Sequence, residues 1–135
     1  MTITSPSLAE KIAEVVRILE ADNGVFQLFA IFQRVDAGDR WDIVVSASWL
    51  PNASLANLRL IAHSLQSHLS TEEMVNISRI AIVQSNDKDV REIREEFGFR
   101  ALGELPITFY NRTYFGKDIR RGTILAAIPW PGTRG

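Results

Sequence analysis

The chain has 135 residues, 46% of them hydrophobic and 23% charged, a net charge of −1 and no cysteine. This length and balance suit one self-sufficient domain with a continuous core, and the missing thiols exclude disulfides, thiolate metal sites and a cysteine nucleophile. No apolar run approaches the roughly 20 residues of a membrane span, and Met1 to Glu10 lacks the basic-then-apolar order of a secretory leader, so one cytoplasmic domain over residues 1–135 with no membrane contact is expected.

Ser7-Leu8-Ala9-Glu10 fits a capping box, in which the serine accepts from an orphan amide and the glutamate reaches back to the cap. Leu8, Ile12, Val15 and Leu19 then recur on one helical face, and Asn23-Gly24 supplies a stop, which predicts a helix from Leu8 to Asp22. Val25 to Val35 is β-branched and aromatic with both faces apolar, as a central strand requires. Past the turn at Asp36-Ala37-Gly38-Asp39, Trp41, Ile43, Val45, Ala47 and Trp49 alternate with smaller or polar residues, so the two segments are expected to pair as an antiparallel hairpin.

Pro51 to Ser54 forms a break and a cap, after which Leu55, Leu58, Ala62, Leu65 and Leu69 keep the helical period. Ser70-Thr71-Glu72-Glu73 can cap one further turn, and Ile77 to Val83 reads as a buried strand reached by a right-handed crossover. Ser85-Asn86-Asp87 caps a third helix with Val90, Ile93 and Phe97 inward and Gly98 at its end; Lys88, Asp89, Arg91, Glu92, Arg94, Glu95 and Glu96 are expected on its solvated side. Ile107 to Tyr114 and Gly122 to Ile128 complete the strands. The order α-β-β-α-β-α-β-β predicts an α+β fold, a layered α/β sandwich with a mixed five-stranded sheet.

Residues able to do chemistry are sparse. His63 and His68 stand five apart on one predicted helix, about 140° around its axis, and cannot ligate one metal from it. Ser64, His68 and Glu72 form a row at four-residue steps, but a flat helix surface offers neither oxyanion hole nor pocket. Asp36, Asp39 and Asp42 lack the alternating ligands and distal glutamate of a calcium loop and suit a solvated turn. No glycine-rich phosphate loop is present, so neither catalytic residue, metal nor cofactor is assigned.

Charge is uneven: residues 1–99 hold 9 Lys/Arg and 14 Asp/Glu, whereas residues 100–135 hold 6 and 2. The basic end interleaves aromatic and cationic side chains, and Tyr110, Arg112, Tyr114, Lys117, Arg120 and Arg121 are the candidate binding residues. Strict alternation puts Tyr110, Arg112 and Tyr114 on one face and Phe109, Asn111, Thr113 and Phe115 on the other. Tyrosine and arginine are enriched in interfaces and on single-stranded nucleic-acid platforms, but nucleic acid is disfavoured because the whole chain is not basic. A third option is structural, with the tyrosines covering a sheet edge and Arg112 paired to an acid of the N-terminal part. Two functional readings stay open: a non-catalytic interaction or regulatory module that forms a homodimer or takes a protein partner, and a small-molecule-binding or enzymatic domain with a pocket between helix and sheet that uses residues such as Trp49, His63 or Arg112.

Overall fold

In the computed structural model, which describes residues 7–131, the capping serine behaves as its sequence implies. The Ser7 hydroxyl accepts from the Glu10 amide and opens helix α1, Leu8–Asn23, whose Ile12, Val15, Val16 and Leu19 are buried. Strand β1, Leu28–Arg34, is shorter than the apolar run that predicts it. Phe26 precedes the strand yet is fully buried against Phe29 and Trp49. Strand β2, Trp41–Ser46, also ends early. Trp49 lies past it and donates its indole N–H to the Gly24 and Val25 carbonyls, tying the end of α1 to the β2 exit.

Helix α2, Leu55–Gln66, is followed by the short helix α3, Thr71–Val75, which closes a reciprocal capping box between Ser70 and Glu73. The Ser70 amide, then the Lys11 ammonium, hold the Glu73 carboxyl below its ordinary range. Because α2 stops at Gln66, Ser64, His68 and Glu72 do not share one helix, and the His68 ring instead meets the Ser64 carbonyl. Strand β3, Ile77–Ile82, pairs with β2 in parallel. Helix α4, Lys88–Phe97, begins with the Asp87 carboxylate accepting from the Asp89 and Val90 amides. Strands β4, Ile107–Tyr114, and β5, Lys117–Ala127, form a hairpin whose turn is Phe115-Gly116, so β5 starts five residues before the predicted Gly122.

The sheet order is β3-β2-β1-β5-β4, mixed and open, and the element order is the expected one. Side chains alternate between two cores. Phe29, Ile31, Ile43 and Val45 pack with α1 and α2 on one side, while Leu28, Ala30, Phe32 and Val44 pack with α4 and the β4–β5 hairpin on the other. A strand apolar on both faces demands cover on both, and the helices supply it. Strand β3 corrects the sequence reading: it is an edge strand, half-buried or exposed along its length, because only β2 lies beside it.

Two residues expected on the solvated side of α4 are buried. The Arg94 guanidinium donates to the Ile128 and Pro129 carbonyls, and its desolvation lowers its pKa. Asp89 accepts from the Phe115 amide at the hairpin turn. Both satisfy backbone groups that a tertiary contact removes from water, which helical charge periodicity alone does not reveal. Arg91, Glu92, Glu95 and Glu96 are exposed as expected.

Strand β5 carries two one-residue bulges against β1. The register passes from Phe29↔Ala126 to Ala30↔Ile124, leaving Leu125 extra, and from Gln33↔Arg121 to Arg34↔Ile119, leaving Arg120 extra. A bulge sets two consecutive side chains on one face. Leu125 and Ala126 accordingly both join the α1-side core. Opposite Arg120, between the pairs Tyr110↔Arg121 and Arg112↔Ile119, β4 holds Asn111 in the left-handed region at φ 54°. Side-chain parity therefore flips on both strands at one level. Phe109 and Tyr114, five residues apart, enter the same α4-side core, and Gly122 lies so close under the Phe109 ring that an added Cβ would come within 2.3 Å of it.

Asparagine tolerates this backbone and a β-branched residue does not. Asn111→Val is expected to lower stability by about 1–2 kcal/mol in urea unfolding and Asn111→Gly to leave it within about 0.5 kcal/mol. Equal stability of the two variants would contradict the observed flip.

Candidate functional site: the open face of the hairpin beside helix α1

The parity flip divides the six candidate residues. Arg112, Tyr114 and Lys117 fall on the α4 side, and Tyr110, Arg120 and Arg121 on the α1 side; the expectation that Tyr110, Arg112 and Tyr114 share a face is corrected by the left-handed Asn111 between them.

On the α4 side Arg112 and Tyr114 are tied into the fold. Tyr114 is 3% exposed, packed against Phe32 and edge-on to Phe109. The Arg112 guanidinium lies 5.0 Å from the Phe97 ring centroid, donates to the Tyr114 hydroxyl at 3.1 Å and pairs with Glu96. That carboxylate, followed by the hydroxyl, raises the Arg112 pKa. Arg112 thus has the acidic partner that the structural option named. Lys117 stays exposed beside the turn.

On the α1 side Arg120 is engaged. It donates to the Gln33 side chain and the Gly38 carbonyl and faces Asp39 at 3.6 Å, clamping the β1–β2 connection. Arg121 extends over the Trp41 ring, 5.8 Å from its centroid. Tyr110, the cross-strand partner of Arg121, is 61% exposed. Thr108 pairs with Thr123, which pairs with Ile31 of the α1-side core, so Thr108, Tyr110 and Arg121 all lie on the face that α1 flanks. Thr108 and Tyr110 are exposed there.

Between α1 and this face runs a half-open groove of about 890 Å³. Ala9, Ala13 and Val16 of α1 form one wall, Leu105 and Pro106 the other, and the bulged pair Leu125 and Ala126 the floor. Glu10, Lys11, Glu14, Arg17 and Glu20 rim it, Lys11 being paired with Glu73. Arg17 pairs with Glu14, and Glu20 accepts from the Phe26 amide. One end of the surface is therefore apolar with an acidic margin, and the other carries tyrosine and arginine. Sequence reasoning missed the α1 wall and Leu105-Pro106; the small residues Ala9 and Ala13 on one flank of α1 were the available signal.

The aspartates of the first hairpin do not converge. Asp42 is 3% exposed, and its Oδ2 accepts from Arg34 Nε at 2.7 Å and Arg79 Nε at 3.2 Å, while Oδ1 has no hydrogen-bond partner among the described residues. Asp36 pairs with Arg34 and Asp39 faces Arg120. These carboxylates neutralise arginines rather than gather around a point. Comparison with protein-family models, curated proteins and solved structures finds no match.

Burial raises the Tyr114 pKa above its ordinary value of 10.0, opposed by the Arg112 contact. The folded state holds the phenolic proton more tightly than the unfolded chain, so this stability is complete below pH about 10 and is lost as pH rises through the folded pKa. Tyr114→Phe is expected to flatten the alkaline decline of a urea midpoint measured from pH 9 upward; an unchanged slope would remove Tyr114 as its source.

Proposed function

We propose that the chain is a non-catalytic cytoplasmic interaction or regulatory module that self-associates, with the open hairpin face and the α1 wall as its self-interface. The observation that carries this reading is the distribution of charge along one uncovered surface. On the α1 margin Glu10, Glu14 and Glu20 outnumber Lys11 and Arg17, which are ion-paired to Glu73 and Glu14; Arg121 and Tyr110 stand at the far end, and an apolar floor lies between. Two copies related by a twofold axis can lay the basic end of each against the acidic margin of the other, as a self-complementary interface requires. The uneven charge of the chain fits such a pairing, because Arg121 has no acidic partner within the fold among the described residues. Exposed tyrosine and arginine are also the residue types that anchor interfaces.

A second reading draws support from the groove itself, whose volume of about 890 Å³ matches that of small-ligand sites and whose lining is mainly apolar. Light scattering coupled to size-exclusion chromatography separates the two. Wild type is expected at twice the chain mass, and a Tyr110→Ala, Arg121→Glu variant, altered only at exposed positions, is expected as a folded monomer. An unchanged mass in the variant, or a wild-type monomer, would remove the self-interface and leave the groove to a small apolar ligand.

A further inference from the structure

The two edges of the sheet are guarded unequally. Strand β4 breaks its edge with the left-handed Asn111, a residue that twists a strand away from pairing. Strand β3 has no such device. It contains no proline, and its one charged residue, Arg79, is turned onto Asp42. The Val83 amide donates to the Val45 carbonyl, so alternation along β3 points the Ile80 and Ile82 amides away from β2, where no strand stands.

Beside this edge, α2 and β3 enclose a shallow trough of about 410 Å³ that includes Leu55, Leu58, Met74 and Ile80, with Arg59 and Arg79 at its margins. Leu55 is 61% exposed. Arg59 is exposed and has no ion pair among the described residues, and Arg79 is 44% exposed and spends only its Nε on Asp42. An apolar trough, a row of free amides and carbonyls, and two arginines thus lie along one edge.

We propose that the β3 edge accepts an extended segment of another protein by strand addition, a segment in which apolar and acidic residues alternate. Main-chain hydrogen bonds would run to Ile80 and Ile82, apolar side chains would enter the trough on the α2 side, and acidic side chains, all on the opposite face, would meet Arg79. A second copy of this chain is the poorer occupant. Antiparallel pairing of two β3 edges would bring together two copies of the same basic edge, and neither strand carries an acid that could meet the other's Arg79. Charge complementarity therefore selects an acidic partner.

The test uses the full chain and a fluorescent, acetylated peptide of repeated Val-Glu units, about eight residues long, matching one strand. Anisotropy titration is expected to show saturable binding, with slowed amide exchange at Ile80 and Ile82. An Arg79→Gln variant is expected to bind about tenfold more weakly, and a Val-Lys peptide not to bind. Arg79→Lys, which keeps the charge, is expected to retain binding, and should Arg79→Gln not fold, the Val-Glu against Val-Lys comparison on wild type makes the same test. Absence of saturable binding to wild type, equal binding of the Val-Lys peptide, or undiminished affinity in Arg79→Gln would each overturn the assignment.

Discussion

Strand β1 is the constraint from which the rest follows. Leu28 to Phe32 are all buried, with alternate residues feeding the two cores, and both edges of β1 are taken, by β2 and by β5. A strand so apolar cannot face water on either side, so helices must stack on both, and α1 with α2 on one face and α4 on the other meet that demand. Its second consequence is geometric. Strand β5 must stay in register with β1 while carrying two extra residues, and those bulges set the shape of the groove floor and the orientation of the hairpin.

The surface available for binding is decided by the second bulge. Arg120 on β5 and the left-handed Asn111 on β4 stand at one level and reverse which way their strands present side chains. Before the reversal Tyr110 and Arg121 look toward the α1 side; after it Arg112 and Tyr114 close over the α4 core. The same short stretch of sequence thus supplies a structural cluster and an exposed one, separated by a single residue.

Element order was legible because it rests on local periods: the serine caps at Ser7 and Ser70 and the alternation from Trp41 to Val45 reappear, and the helical repeat keeps Leu65 and Leu69 buried, although Leu55 lies exposed and Ile61, outside the expected row, is buried in its place. The division of the hairpin is not legible in this way, since strict alternation carries through Asn111 and an asparagine inside a strand is the one local sign against it. Likewise, the run Ile80-Ala81-Ile82-Val83 suits an edge strand beside a helix as well as a central one, because an apolar run records burial on the two faces and not the presence of a neighbour at the edge. The burial of Arg94 and Asp89 leaves no local sign, because their partners, the carbonyls of Ile128 and Pro129 and the amide of Phe115, are far away in the chain.

The absence of cysteine makes a direct test of the open face practicable, since one introduced thiol is the only one present. Thr108→Cys lies in the middle of that face, and Lys88→Cys, exposed on α4, serves as reference. Rates of reaction with a thiol reagent are measured over a range of protein concentrations. If the face is the self-interface, Thr108→Cys reacts rapidly in dilute solution and is progressively protected as concentration rises, while Lys88→Cys is unaffected. A Thr108→Cys rate that does not change with concentration would contradict self-association through this face.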